Sequence, residues 1–189
     1  MTKNTPCAIK TKAKMAEAVK SLMNTKSFDK ITVSDITTEC GIHRQTFYYH
    51  FQDRYELVDW IIYNELLVPF MEGLTFANMY SRFNALLETI ESEKSFYQRA
   101  MRLSSGEVSK YLNVAARELF VNVISALDEE TKLVPDDTGE YMIFVEFVGF
   151  GLTGIVMSWV QRGMKETSQE LTEKLIKLVE KCKEFVSDK

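Results

Sequence analysis

The sequence contains few of the residues that interrupt helices or build covalent frameworks. Glycine occurs 8 times and proline 3 times in 189 residues, which leaves few places for tight turns and favours long helices over many short strands. The three cysteines, Cys7, Cys40 and Cys182, are odd in number and far apart in the chain. They match neither a disulfide framework nor a Cys-x-x-Cys metal site, so a reducing cytoplasm is the simplest environment that fits them.

Signals for export, membrane insertion and catalysis are also scarce. The first 14 residues are basic but lack the apolar stretch of a signal peptide, so we expect a cytoplasmic protein. The apolar run 141–160 has the length of a membrane span, but the acidic Glu146 in its interior and its amphipathic surroundings favour a helix buried against other helices. His43 and His50 have no cysteine or carboxylate cluster beside them at metal-ligand spacing. Since nucleophile elbows, phosphate-binding loops and paired-carboxylate motifs are missing too, we expect neither an enzyme nor a bound cofactor.

One glycine motif needs a separate explanation. The segment GFGLTG, residues 149–154, fits the glycine pattern of a dinucleotide-binding turn. A doubly wound sheet would need further strands after it, whereas the remaining 35 residues contain an amphipathic helix with Leu171, Leu175 and Leu178 on one stripe. We therefore assign these glycines to close approach between helices.

Charge is divided unevenly along the chain. Residues 1–54 hold nine basic and five acidic side chains, whereas residues 55–189 hold 14 basic and 22 acidic ones. A basic head on an acidic body indicates that the head is the part that meets a polyanion. Scattered surface charge is the alternative that composition alone leaves open.

Helical periodicity recurs through the whole chain. In the first helix the apolar stripe consists of Ile9, Ala13, Ala16, Val19, Leu22 and Met23. A later helix, capped by Asp53, is expected to bend near Pro69. Beyond it, helices are predicted over 78–91, 94–103, 107–129, 139–162 and 168–186. The sequence therefore predicts an all-α fold, with a three-helix head and a larger C-terminal helical bundle.

Residues 32–51 have the layout of a helix-turn-helix. Thr32 can cap the first helix together with Asp35, and Gly41 follows the end of that helix. On the second helix, taken at about 100° per residue, Phe47 and Phe51 share the inward face. The sequence therefore predicts that this second helix, the recognition helix, buries two rings and turns its other side outward.

The outward side of the recognition helix suits a DNA major groove. Gln45 and Tyr49 lie opposite the core, where glutamine can pair with adenine and a tyrosine ring can contact a thymine methyl group. The side chains expected to hold phosphates are Arg44, Thr46, Tyr48, His50 and Arg54. Backbone N–H groups at the start of the next helix, near Arg54, are expected to add phosphate donors. A small packed subdomain whose polar side chains merely border its core is the alternative.

The stretch DKITVSDITTECGIHRQTFYYHFQDRYEL, residues 29–57, resembles the DNA-binding head of the TetR family of bacterial transcription regulators. The resemblance covers about residues 9–59, and TFYYHF followed by a charged helix start is its most specific part. RQTFYYHF and residues 60–62 are similar to the branch that contains the regulator of a dihydroxyacetone kinase operon. The resemblance implies a homodimer on double-stranded DNA, with a helix-turn-helix domain over 8–68 and an effector-binding and dimerisation domain over 69–189.

By position, the resemblance places ten residues at the DNA. They are Thr32, Ser34, His43, Arg44, Gln45, Thr46, Tyr48, Tyr49, His50 and Arg54. His43 stands where the family usually has a Ser or Thr cap, so the recognition helix begins less firmly. Gln45 replaces a frequent small residue, which implies an unusual base sequence, and Arg54 stands where the family usually has Lys.

The C-terminal half carries two further predictions. Helices 139–162 and 168–186 are expected to pair with those of a second chain, because the first is apolar nearly all round and the second has an apolar stripe. Aromatic and methionine residues between Trp60 and Trp159 are expected to form either a solid core or the walls of a site for a small apolar or amphipathic effector. The resemblance also implies a different possibility, a partner protein that carries a metabolite signal. A helical adaptor whose head does not read DNA is the alternative to a DNA-binding regulator.

Overall fold

The computed structural model describes residues 5–75, 77–103 and 139–187, and these residues form helices and short connections, without strands. The head consists of α1 (Pro6–Thr25), a 3₁₀ turn (Phe28–Lys30), α2 (Val33–Glu39), α3 (Arg44–His50) and α4 (Arg54–Ile62). A π-helical turn (Tyr63–Leu67) and α5 (Val68–Met71) continue α4. The body contains α6 (Met79–Ser92), α7 (Lys94–Leu103), α8 (Gly139–Gln161) and α9 (Ser168–Ser187). The all-α prediction is confirmed, while the helix predicted over 107–129 lies outside the described residues.

The buried face of α1 differs from the predicted one. Ile9 is 51% exposed and Ala13 is exposed, whereas Ala8, Lys12 and Met15 are buried. The ammonium group of Lys12 lies over an aromatic ring of the head, so its aliphatic stem occupies a core position. The stripe predicted from apolar residues was therefore wrong in the first half of α1, because a lysine takes one of the buried positions.

A π-helical turn marks the end of α4. The buried residues of α4 include Ile61 and Ile62, and the next buried pair, Leu66 and Leu67, follows five residues later. This spacing matches the hydrogen bonds of a π-helix, which link residues five apart. Pro69 follows in α5, so the helix changes its geometry just before the proline that was expected to bend it.

Head and body share one continuous hydrophobic core. It joins Ile36 and Phe47 of the head to Leu87 and Trp159 of the body, all with 0% exposure. Helix α7 packs on α1 and on α8, and α9 packs on α6. The orientation of the head is therefore set by packing against the body as well as by the α4 connection.

The connection between α8 and α9 is a tight reversal. Gly163 and Met164 both have positive φ angles, 91° and 49°, and the indole N–H of Trp159 donates to the backbone oxygen of Glu166 over 2.9 Å.

Within the described residues, none of the helices combines the length and hydropathy that crossing a membrane requires.

Candidate DNA-binding surface

The first helix of the motif begins with the predicted capping box. The hydroxyl of Thr32 accepts from the backbone N–H of Asp35 over 3.1 Å, and the Asp35 carboxylate accepts from the backbone N–H of Thr32 over 2.7 Å. Lys26 adds an ion pair to Asp35 at 3.0 Å. The bond from the Thr32 backbone and the bonds from Lys26 and the Thr32 hydroxyl lower the pKa of Asp35 to about 2. Thr32 is therefore a cap first, and the exposed Ser34 beside it is the better placed hydroxyl for an outside partner.

The turn between α2 and α3 depends on one glycine. Gly41 has φ +66°, a left-handed conformation that residues with a Cβ rarely adopt. It lets the chain reverse while the N–H of Ile42 donates to the oxygen of Thr37 over 3.0 Å. His43 then stands at the N-cap of α3 without a side-chain capping bond, as its identity led us to expect.

The recognition helix α3 presents the predicted faces. Phe47 and Phe51 are buried, with 0% and 2% exposure, in contact with the core that contains Ile36. Gln45 is exposed and Tyr49 is 50% exposed on the opposite side. The helix therefore holds a polar, hydrogen-bonding face above a rigid aromatic base.

Arg44 and Tyr48 form a pair beside that face. The Arg44 guanidinium donates to the Tyr48 hydroxyl over 3.2 Å, and its centre lies 5.5 Å from the Tyr48 ring. Tyr48 is 48% exposed, so the pair remains open to solvent. A cation held on an exposed ring next to the recognition face is well placed for a phosphate.

The two flanking residues of α3 lie at different depths. Thr46 is half-buried, and His50 is only 7% exposed. The His50 ring meets the Tyr49 ring edge-on at 5.0 Å and lies 6.4 Å from the Phe51 ring. His50 follows Phe47 by three residues, which places it about 60° from the buried direction on the helical wheel. Little of the His50 ring is therefore open to a phosphate, and the contact expected for it stays a prediction.

Arg54 is held by the protein itself. Its guanidinium donates to the backbone oxygens of Phe28, Asp29 and Ile31, and it lies 4.7 Å from the Phe28 ring. A planar guanidinium can serve several carbonyl groups at once, which an ammonium group does less well. These bonds give Arg54 a structural role that the local sequence did not indicate, because its partners lie more than 20 residues away, and its phosphate contact stays a prediction.

The backbone donors at the start of α4 are also engaged. Asp53 accepts from the N–H groups of Tyr55 and Glu56 over 2.8 and 2.9 Å, and the Glu56 carboxylate accepts from the N–H of Gln52. Acidic caps satisfy these groups inside the chain. They do not favour the phosphate contact expected at this helix start.

Sequence reasoning missed the lysine that supports the recognition helix. The Lys12 ammonium lies 5.7 Å from the centres of both the Phe51 and Trp60 rings, and the residue is 9% exposed. It thus clamps α1 onto the residue that ends α3 and onto α4. The signal for it was available, because Lys12 precedes Met15 and Val19 by three and seven residues, the spacing of one helix face.

Comparisons with known proteins agree with this geometry. The description "Bacterial regulatory proteins, tetR family" matches residues 16–61, and "Transcriptional regulator C-terminal region" matches residues 77–181. The dhaKLM operon transcriptional activator DhaS of Lactococcus lactis is 33% identical over 85 residues, which are 45% of this chain and 46% of the relative. The aligned part thus spans about half the length of that curated relative.

Solved structures establish the same fold. The dihydroxyacetone kinase operon activator DhaS superposes with a TM-score of 0.69 at 24% identity, over 90% of this chain and 94% of that one. A candidate transcriptional regulator from Pseudomonas aeruginosa PAO1 superposes with a TM-score of 0.61 at 17% identity, over 90% and 89%. The curated relative agrees with the resemblance to the dihydroxyacetone kinase operon branch over the 85 aligned residues, and the solved structures show the fold. One family description matches the helix-turn-helix head, and the other matches a segment of the body that makes up more than half of the chain. The protein therefore belongs to the TetR family of bacterial transcription regulators.

Proposed function

We propose that the chain is a sequence-specific DNA-binding regulator that acts as a homodimer on an inverted repeat. The observation that carries the proposal is the outward face of α3, where Gln45 and Tyr49 stand exposed over the buried Phe47 and Phe51. A short helix that is rigid on one side and rich in hydrogen-bonding groups on the other fits a major groove. A basic head on an acidic chain supports the same role.

The side chains around α3 divide into two roles in this proposal. Gln45 and Tyr49 read base edges, because they stand farthest from the core. Arg44 and Tyr48 hold a phosphate as a pair, and the hydroxyls of Ser34 and Thr46 are placed to add contacts to the backbone of the DNA. Thr32 and His43 lie at the starts of the two motif helices and support their positions.

A second copy of the chain accounts for the exposed apolar face of α8. Ile143, Phe147 and Phe150 are 68%, 77% and 52% exposed, and with Gly151 and Gly154 they follow one helix face at steps of four, three, one and three residues. Among the described residues, no atom beyond the neighbouring backbone of α8 lies within 4 Å of a Cβ built on either glycine. So large an apolar stripe on one helix is characteristic of an interface rather than of a solvent-facing surface.

Helix α9 is proposed to join α8 in the interface, but it shares its stripe with the chain's own core. Leu175 is 9% exposed and belongs to the core, while Leu178 is 51% exposed. The side chains of Cys182 and Phe185 lie outside the described residues. Two such helices from each chain would form a four-helix contact that holds the recognition helices about 34 Å apart, one turn of DNA.

The body is proposed to receive the signal. A small apolar or amphipathic effector remains our first choice, although residues 104–138 of the expected walls lie outside the described residues. Trp159, at one end of those walls, is fully buried in the core. The curated relative is by name an operon activator. An assay of the target promoter must therefore be able to detect both an increase and a decrease in transcription. A partner protein as signal carrier is the second candidate.

A titration against DNA tests the proposal. Fluorescence anisotropy should show tight binding to one inverted repeat from the regions beside its own gene, with affinity that falls steeply as salt rises. A duplex carrying a single half-site is the matched control and should bind much more weakly. Equal and weak binding to every duplex would instead favour the helical adaptor that acts through a partner protein.

A further inference from the structure

One buried ammonium group joins the head to the body. Lys20 of α1 is 7% exposed, and its Nζ lies 2.7 and 2.6 Å from the two carboxylate oxygens of Glu65 in the π-helical turn. The same Nζ lies 2.9 and 2.7 Å from the oxygens of Glu93, which stands between α6 and α7. A single cation therefore ties together three segments that are 45 and 73 residues apart in the sequence.

The surroundings of Lys20 favour one fixed arrangement. Burial lowers the pKa of Lys20, but the hydrogen bonds and charges of Glu65 and Glu93 outweigh burial and raise it above its ordinary value. The ring of Phe96 in α7 adds a contact at 5.4 Å. A buried charge is costly unless its partners stay in place, so sliding α1 along α7 would break several bonds at once.

Tyr97 extends the cluster from the body side. It is 0% exposed, and its hydroxyl donates to the Glu65 carboxylate over 3.1 Å. Burial and the neighbouring charge of Glu65 raise the pKa of Tyr97 far above its ordinary value, so the phenol stays a hydrogen-bond donor. Helix α7 thus reaches the π-helical turn directly.

The next two residues of α7 bind backbone groups on both sides of it. The Arg99 guanidinium donates to the backbone oxygens of Met23 and Lys26, at the end of α1. The Gln98 side chain donates to the backbone oxygen of Val160 over 3.4 Å, at the end of α8. Helix α7 therefore has polar contacts to the head on one side and to the proposed dimer helix on the other.

We propose that α7 is the joint that fixes the angle of the head relative to α8, with Lys20, Tyr97 and Arg99 as its positioning residues. Apolar packing alone is non-directional and permits small rotations, whereas charged hydrogen bonds at fixed distances specify one register. This inference rests on the proposed function, because the angle matters only if two heads on a paired α8 must meet one DNA site.

Operators of different spacer length test the joint. Each added base pair moves the half-sites apart by about 3.4 Å and rotates them relative to each other by about 35°. Two heads held at a fixed angle cannot contact both half-sites equally well after such a change. The double variant Glu93→Gln, Tyr97→Phe keeps side-chain size but weakens the joint. We expect its preference for the best spacer over one changed by a base pair to fall at least about threefold, while binding to a single half-site stays unchanged.

Two controls separate this outcome from general damage. Glu88→Gln removes an exposed carboxylate from α6 and should keep the wild-type spacer preference. Thermal unfolding of the double variant should remain cooperative, which shows that it is folded. A double variant with the wild-type preference, or an equal loss in Glu88→Gln, overturns the joint.

A wild type without any spacer preference would contradict the proposed function and not the joint. A measurement without DNA tests the joint in that case. Spin labels at Thr38 in α2 and Gln169 in α9, both exposed, report the head-to-body distance once the native cysteines are replaced and labelled chains are diluted with unlabelled ones. A narrow distance distribution that broadens in the double variant supports the joint. Distributions of equal width overturn it.

Discussion

At the scale of the residue, the exposed face of α3 separates base reading from attachment. Gln45→Ala or Tyr49→Ala should cost about 1–3 kcal/mol on the best operator and relax base preference, because each removes contacts to base edges. Arg44→Ala should weaken binding to all sequences alike and flatten the salt dependence. Anisotropy with the best operator and a scrambled duplex measures both effects. An unchanged preferred sequence in Gln45→Ala would show that another side chain reads the bases.

Arg54 leads to a prediction about stability. Arg54→Ala should lower the free energy of unfolding by about 1–3 kcal/mol, because it leaves backbone oxygens of Phe28 and Ile31 without their charged donor. The salt dependence of DNA binding should not change. Urea unfolding and a salt titration check the two statements, with Arg54→Lys as the variant that keeps the charge. A flatter salt dependence with unchanged stability would show that Arg54 contacts the DNA and does not stabilise the fold.

The buried or exposed position of a single residue was predictable where the helical period alone determines which face of the helix it lies on. The inward Phe47 and Phe51 and the outward Gln45 and Tyr49 follow from about 100° per residue and from what each side chain costs to bury. The contacts of Arg54 did not follow, because its partners come from a distant turn. The DNA contacts themselves stay predictions.

At the scale of the element, the capping box of α2 should respond to pH. The hydrogen bonds from the Thr32 backbone and from Lys26 lower the pKa of Asp35 from 3.8 to about 2. A folded pKa below the unfolded one means that the carboxylate stabilises the head above about pH 4 and loses this effect as pH falls towards 2. The difference in unfolding free energy between wild type and Asp35→Asn should therefore shrink over that interval in urea unfolding. Thr38→Ala, an exposed change in α2 that keeps Asp35, should show no such interval.

Helix bounds were largely predictable, whereas buried faces were less so. The predicted 94–103 agrees with α7, and 139–162 agrees with α8 within one residue, because capping and glycine signals lie close to the ends. The face of α1 was wrong in its first half, where Lys12 is buried, and the pattern also missed the buried Lys20 in the second half. Binary patterns count a lysine as exposed, yet its long stem packs in a core when rings or carboxylates receive the ammonium group.

At the scale of the whole molecule, the α8 face predicts assembly. Gly154→Leu should give a monomer at micromolar concentration by light scattering, where the wild type should be a dimer, because the new side chain would enter the interface. In the part of the chain that the structure describes, nothing beyond the neighbouring backbone of α8 lies within 4 Å of the added Cβ. Leucine favours a helix over glycine by roughly 1 kcal/mol, so α8 itself should not be destabilised. Glu88→Leu, on an exposed position of α6, should remain dimeric. A monomeric wild type would contradict the proposed interface.

The body was less predictable than the head. An apolar helix such as α8 fits a core, an interface or a membrane by its pattern alone. The exposure of Phe147 and Phe150 shows that this face of α8 is not part of the chain's own core, and the interface stays a prediction. The division of the chain at 68/69 stays a prediction, because one core runs through both sides of it. The identity of the effector depends on side chains whose positions no periodicity fixes.

The π-helical turn sets where this chain can change its length. The buried pair Leu66 and Leu67 follows the buried pair Ile61 and Ile62 by five residues. An α-helix would place the next buried pair four residues on, so the π-helical turn contains one extra residue. Deleting Asn64 would bring the spacing to four, and the same leucines could stay in the core as part of a regular helix. The same deletion inside α1 would turn every later side chain by about 100° and expose the buried face. A protein of this family can thus gain or lose a residue at this turn while keeping both of its ends in place, at the expense of the position that Glu65 now holds.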